Sequence, residues 1–449
     1  MRKWILVILT GSMLVCCSRK ENVDFDPGVV DPGHLHRTMK KITDIIVHDI
    51  FSPPVASRIY AYSSIAAYEA AIPGNPQFIS LAGQLNGLEA LPQPDSTKKY
   101  CFELSSVHAL SLVGKALIFS EAEMETFHQQ TLKEFKNSGM PDDMYKNSLA
   151  YGEAVAKHIL DWSGKDNYKQ TRTFEKYTVL LNDPSRWKPT PPAYMEGIEP
   201  SWTKIRTFVL DSSTQFIPEP PTAFSTDPKS KFYQEAMEVY DAVNSANSEY
   251  EEIANFWDCN PFKMNVRGHV MFATKKISPG GHWINITRIS CTSAGKDFFE
   301  TAEAYATVSL TLADGFISCW DEKYRSKLVR PETYINQFID ENWLPLLQTP
   351  PFPEHTSGHS VISGAASVAL TKLLGENFSF VDSTELEFGL PPRSFTSFKH
   401  ASDEAAISRL YGGIHYRPAI DEGVKQGTSV GEWVISNIRT RRESMLTLK

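Results

Sequence analysis

Apolar residues recur along most of this chain at the spacing of an α-helix, and in lengths that only helices use. Met39, Ile42, Ile45, Ile46 and Ile50 fall at i, i+3 and i+4 intervals until Ser52-Pro53-Pro54 interrupts them. That spacing lines one side of a helix with apolar surface, which must be buried against another element. A second stripe, with Ile59, Tyr60, Ile65, Ala66 and Tyr68 inside 55–71, ends at Pro73-Gly74. The two predict a helical hairpin joined by a proline turn. The same reading predicts helices over 100–119, 121–137, 141–162, 230–254, 298–317, 360–374, 402–414 and 430–442, with Gly139, Gly164 and Gly375 just past three of their ends. No alternation of period two has comparable strength, and no solenoid-length repeat or low-complexity tract occurs. The expected fold class is all-α, a helical bundle or pair of bundles.

Between Tyr168 and Asp227 the periodicity fails among Pro189, Pro191, Pro192, Pro200, Pro218, Pro220 and Pro221. This stretch is either a long connection crossing the molecule beside a functional site or a surface linker, and its residues do not choose.

With 449 residues, 41% of them hydrophobic and 22% charged, the chain can bury a substantial core. Its formal net charge of -8 excludes general attraction to nucleic acid or to an anionic membrane surface. Any anion site must therefore be local. At the N-terminus, Arg2 and Lys3 precede the apolar run Trp4 to Leu9 and the stretch Gly11 to Cys17, a secretion signal too short for a stable membrane span. Leu14-Val15-Cys16-Cys17 matches a bacterial lipoprotein processing site, with Cys17 the expected lipidated residue because use of Cys16 would put Val15 before the cut. An ordinary signal peptide cut nearby is the alternative. On the first reading 1–17 is the leader and 18–33 a polar tether. A lipid anchor then holds an outer-membrane lipoprotein of a Gram-negative bacterium, whereas the alternative gives a periplasm-facing or secreted protein. Cys101, Cys259, Cys291 and Cys319 show neither CxxC nor zinc-like spacing, so free thiols and one or two disulfides both stay open.

Three segments of the C-terminal third carry residues suited to a tetrahedral oxyanion. Lys323, Arg330 and Pro331 set an ammonium and a guanidinium seven residues apart, able to neutralise an anion from different sides. Ser357, Gly358 and His359 sit directly before an apolar helix, where free backbone N–H groups, a hydroxyl and an imidazole converge. Ser408-Arg409 is followed by Gly412-Gly413 and His415, an arrangement that lets the histidine turn inward at a helix end. Each segment alone has a plain structural reading: a basic helix terminus, a serine cap, a buried structural histidine.

Taken together, Lys-x6-Arg-Pro, Ser-Gly-His and Ser-Arg-x5-His resemble the signature shared by vanadium-dependent haloperoxidases and type 2 phosphatidic acid phosphatases. One departure is Thr356, where that family usually has proline before Ser-Gly-His. The resemblance implies two four-helix bundles, a helical region with its proline-rich connection over 34–227 and a vanadate- or phosphate-binding domain over 228–449. It also implies a vanadate cofactor held by Lys323, Arg330, Ser357, Gly358, His359 and Arg409, a metal bond from His415, acid–base work by His359, and peroxide polarisation by Lys323. Hydrogen peroxide, a halide (iodide or bromide) and a small organic acceptor are the implied partners, with Trp320 and Phe352 lining the halide approach. Two other functions stay open: a vanadate-inhibited acid phosphatase working through a phosphohistidine at His415, and a non-catalytic oxyanion-binding lipoprotein. Asp258 is a candidate to orient His359. Trp257 to Phe262 and Gly280 to Trp283 are cleft walls or mere turns. His355 is expected near the rim, with Glu354 as its surface partner.

Overall fold

In the computed structural model the described residues are 31–267 and 270–442, with side chains described outside 265–273. The leader, Cys16, Cys17 and nearly all of the tether lie outside them. The chain forms α1 (Gly33–His48), α2 (Pro53–Ala71), α3 (Phe102–Leu117), α4 (Glu121–Asn137) and α5 (Asp142–Ser163). After the single turn α6 (Tyr168–Thr171) come α7 (Lys231–Asn244), α8 (Ser248–Phe256), α9 (Pro279–Ser293) and α10 (Phe298–Ser326). The last four are α11 (Pro331–Phe338), α12 (Gly358–Leu374), α13 (Phe398–Tyr411) and α14 (Arg417–Asn437). The fold is all-α as expected. Among the described residues the strands are two antiparallel pairs, β1 (Lys263–Arg267) with β2 (Val270–Thr274) and β3 (Phe380–Asp382) with β4 (Arg393–Phe395).

Helices α1, α2, α4 and α5 gather around α3, and α10, α12, α13 and α14 form a second group. The two groups join along α2 and α10. Every residue of α2 is buried, so its polar side chains find internal partners. Arg58 donates to Asp166 at 2.6 Å and Tyr62 to the same carboxylate at 3.0 Å. One apolar cluster runs from Leu35 to Ile438, drawing on residues either side of position 228.

Four departures from the predicted elements have local causes. The helix predicted over 230–254 breaks at Ala246 (φ 51°), where Asn247 uses its side chain to cap α8. Asparagine competes with the helix for backbone hydrogen bonds, so periodicity ran on where capping stopped it. Gly280 to Trp283, read as a wall or turn, open α9 behind Pro279 and the cap Ser278. Helix α11 falls in a segment read only for its basic residues. Helix α14 begins at Arg417 rather than near 430; Gly423, Gly427 and Gly431, residues of low helix propensity, do not break it. They are instead a face of close backbone approach: a Cβ on Gly427 would stand 2.0 Å from the Val361 carbonyl oxygen of α12.

The proline-rich connection is not a free surface linker. Asp314 of α10, fully buried, accepts the backbone N–H groups of Phe208, Val209 and Leu210 at 2.7, 2.7 and 3.0 Å. Farther along α10, the Ile198 carbonyl accepts from the Trp320 indole at 3.1 Å and the Tyr324 hydroxyl at 2.6 Å. These bonds clamp the connection to the helix that carries Trp320 and Lys323. All four cysteines of the body are buried and free.

Candidate active site

The three sequence segments converge at one cleft. The last turns of α10 bring Trp320 and Lys323, Arg330 stands at the N-cap of α11, and Ser357 caps α12, whose first turn carries Gly358 and His359. Arg409 comes from the last turn of α13. Gly412 and Gly413 (φ 76°) then swing His415 inward; a Cβ on Gly412 would meet Leu347 Cδ1 at 2.6 Å. The cleft is lined by Trp320, Phe352, Gly358, His359, Arg409 and His415 together with 258–262.

His415 uses its two ring nitrogens differently, Nδ1 as donor and Nε2 as acceptor. Its Nδ1 lies 2.8 Å from Glu354 Oε1, which also accepts the Tyr416 backbone N–H at 2.9 Å. The carboxylate fixes the proton on Nδ1 and leaves the lone pair on Nε2. Nε2 faces Arg330 Nη1 at 3.1 Å. Burial first, then the charges of Arg330 and Lys323, hold His415 well below its usual pKa, so the ring is neutral and the Nε2 lone pair accepts from Arg330 Nη1. Arg330 is held by the carbonyls of Phe352 and Ile414, while its Nη2 has no partner. A buried guanidinium nitrogen without an acceptor costs several kcal/mol by order of magnitude, about 1–3 at the least. An anion beside His415 would supply that acceptor.

His359 is arranged for proton transfer. Its Nε2 is buried without a partner, and its other ring nitrogen meets the Trp257 carbonyl. Burial, with Arg409 next in weight, keeps it well below the usual histidine range, so it stands neutral with a vacant acceptor. Arg409 Nη2 donates to the same Trp257 carbonyl at 2.6 Å and Nε to Ser408 Oγ at 2.9 Å. The orienter of His359 is thus a backbone carbonyl. Asp258, the expected one, pairs instead with Lys276 at 2.8 Å and Lys263 at 3.2 Å.

Two expected cofactor contacts lie behind the cleft surface. Lys323 gives its ammonium to the carbonyls of Pro353 (3.0 Å), Glu354 (3.1 Å) and Thr356. Burial pushes its pKa down to about 7. Ser357 caps α12, accepting from the Ser360 backbone at 3.3 Å and hydroxyl at 2.8 Å. Thr356, in the place of the family's proline, donates to Gln426 Oε1 at 2.7 Å.

Glu354 and His355 differ from expectation. Both are about 1% exposed, and they do not pair. His355 Nε2 meets the Glu219 carbonyl at 3.0 Å, while Glu354 serves His415. Glu354 was thus misplaced by sequence reasoning, and nothing in its spacing from His415 marked the contact. Trp320 and Phe352 stand with ring centroids 5.0 Å apart, and Lys323 Nζ lies 5.0 Å from the Phe352 centroid. That cation stacked on an aromatic rim gives an anion a partly apolar, positively charged approach.

A helical fold with two neutral histidines and three buried cations around one cleft defines a protein built to hold a tetrahedral oxyanion. Comparison narrows the class. The family model described as VCPO second helical-bundle domain matches residues 303–443. The crystal structure of the first bacterial vanadium-dependent iodoperoxidase is 54% identical, with TM-score 0.87, covering 92% of this chain and 98% of that one. A holo-type bacterial vanadium-dependent chloroperoxidase (15% identity, TM-score 0.68, covering 92% and 98%) shares the fold. So does an apo-type one (16%, 0.64, 86% and 95%). Comparison with curated proteins gives no match. The chain belongs to the vanadium-dependent haloperoxidase family.

Proposed function

We propose that this protein oxidises a halide with hydrogen peroxide to hypohalous acid, using vanadate, and that iodide or bromide is the working halide. The observation that carries the reading is the imidazole of His415, tied at Nδ1 by Glu354, with its Nε2 lone pair turned to Arg330 Nη1 beside the partnerless Arg330 Nη2. Similarity to the bacterial iodoperoxidase supports the halide choice.

The residues present fit vanadate. The partnerless Arg330 nitrogen needs an acceptor, the cleft also holds Arg409, and the nearest carboxylates are already bound, Glu354 by His415 and Tyr416 and Asp258 by two lysines. His415 would hold the metal through Nε2. Arg330, Arg409 and the N–H groups at the start of α12 would hold its oxygens, with Ser357 and Lys323 fixing the loop that presents them. When bound, vanadate supplies Lewis-acid activation of peroxide, so the halide is oxidised while the metal keeps its oxidation state.

The chain's own residues do the rest. His359, neutral, takes at Nε2 the proton that incoming hydrogen peroxide loses and returns it to departing water. Trp320 and Phe352 offer ring edges to a polarizable halide. Lys323 holds positive charge beneath the loop and favours bound anions. The apolar leader and Cys17 support lipid anchoring at a periplasm-facing outer membrane, with the tether at 18–33 carrying the body. Among the described residues no helix is long and apolar enough to cross a membrane.

The test uses the body from Ser18 onward, incubated with orthovanadate and assayed for peroxide-dependent oxidation of iodide and bromide. The expected result is vanadate-dependent turnover that disappears in His415→Ala. Hydrolysis of p-nitrophenyl phosphate that vanadate inhibits, with no halide oxidation, would overturn the reading in favour of a phosphatase. Tight phosphate binding with no turnover of either kind would leave only a binding protein.

A further inference from the structure

We propose that Cys259, His282 and Glu385 form a second metal site, for a divalent transition-metal ion of zinc's class, in the wall of the cleft. The three come from separate stretches: the loop after α8, the first turns of α9, and the short helical turn Thr384–Phe388 after β3. Their ligand atoms lie within 4.8 Å of one another, and all three residues are buried. His282 Nδ1 stands 3.4 Å from Cys259 Sγ and 3.2 Å from Glu385 Oε1. A tetrahedral zinc ion, about 2.3 Å from sulfur and about 2.0 Å from nitrogen or oxygen, sets its ligand atoms roughly 3.3–3.6 Å apart. The observed spacings are edges of that tetrahedron.

A second observation points the same way. His282 Nε2 lies 2.7 Å from Asp382 Oδ2, and the other oxygen of Asp382 accepts the Thr384 backbone N–H at 2.9 Å and its hydroxyl at 2.6 Å. A carboxylate that takes the Nε2 proton directs the Nδ1 lone pair at whatever sits between Cys259 and Glu385, which is the support that metal-bound imidazoles receive. Glu385 Oε1, in a residue 1% exposed, makes no hydrogen bond and faces His282 Nδ1 as an ion pair at 3.2 Å. Thiolate, imidazole and carboxylate together select a borderline-soft ion over calcium or magnesium.

Cys259 also lines the cleft, which gives the ion its way in and a cleft water as fourth ligand. On binding, the Cys259 thiol proton and the Nδ1 proton of the His282 ring held between Asp382 and Glu385 pass to solvent, sulfur and nitrogen bond the ion, and no electron is transferred. The site would brace the active-site wall, because the Trp257 ring stacks on His282 at 4.6 Å while its carbonyl holds Arg409 at 2.6 Å.

The test is titration of the tag-free protein, stripped with chelator and without vanadate, with Co²⁺ followed by absorption. One equivalent is expected to bring up the thiolate-to-cobalt charge-transfer band and the visible bands of tetrahedral Co²⁺, and one equivalent of Zn²⁺ to abolish them. Cys259→Ser should lose the charge-transfer band, Glu385→Gln should bind at least tenfold more weakly, and Cys291→Ser should behave as the parent. Circular dichroism of each variant separates loss of a ligand from loss of fold. Absence of the bands in the folded parent protein, or bands that survive in Cys259→Ser, would overturn the assignment.

Discussion

Glu354 is the residue on which the assignment of His415 turns, and Glu354→Gln tests it with little change of shape. The carboxylate accepts from His415 Nδ1 at 2.8 Å and from the Tyr416 N–H at 2.9 Å, in a site 1% exposed. Burial raises the Glu354 pKa to about 7, so above that pH glutamine keeps an acceptor oxygen for both donors and removes a charge. A hydrogen bond to a charged acceptor is worth about 1.5–3 kcal/mol, against about 0.5–1.5 for a neutral one. The difference, roughly 1–1.5 kcal/mol, falls on the basicity of Nε2, since a weaker acceptor at Nδ1 withdraws electron density from the ring. That predicts vanadate binding weakened about tenfold, at the lower edge of the roughly 10–100-fold typical of partners behind a metal ligand. Equilibrium dialysis against orthovanadate measures it, with thermal unfolding as a control and His415→Ala as the floor. Turnover at saturating vanadate should fall less than affinity does. If Glu354→Gln folds normally and binds vanadate as tightly as the parent, the carboxylate does not set the tautomer of His415 and the argument from its lone pair fails.

Three further outcomes follow from other contacts. His359→Ala should lower halide turnover about 10²–10³-fold while changing vanadate affinity only a few fold, because its Nε2 has no protein partner to lose; an equal loss of both would make it a structural residue. Gly427→Ala should destabilise the fold by about 1–3 kcal/mol or more, since the new Cβ would stand 2.0 Å from the Val361 oxygen, and an unchanged urea midpoint would contradict that packing. His108 and His128 lie 2.9 Å apart, with burial pushing them to about 3 and about 4. Both folded values lie below the unfolded histidine value near 6.5, so their contribution is complete above about pH 6.5 and is lost as pH falls toward 4. Each costs about 1.4 kcal/mol at about pH 5.5, and urea unfolding of the His108→Gln/His128→Gln double variant should show a shallower acid loss than the parent.

What the sequence determined by itself was whatever is written in local spacing. Helical stripes such as Met39 to Ile46 lie in their predicted class because an amphipathic period is a property of neighbouring residues, while Ile50 falls past the end of α1 in a left-handed turn (φ 55°). Lys323, Arg330, His359, Arg409 and His415 could be chosen because their spacings repeat a known signature. Tertiary structure decided what depends on residues far apart in the chain. Glu354 meets His415 across sixty-one positions, and the carbonyl that orients His359 belongs to Trp257, a hundred and two positions away. No periodicity encodes such pairings. Gly423, Gly427 and Gly431 lower the local helix signal of α14, and only α12 standing against them explains their place, since a glycine's cost in propensity is local and its gain in close packing is not. Lys323 and Ser357 were legible as site residues, but only the folded loop assigned the one to three carbonyls and the other to a helix cap, because a buried donor takes whatever acceptor the surrounding backbone presents.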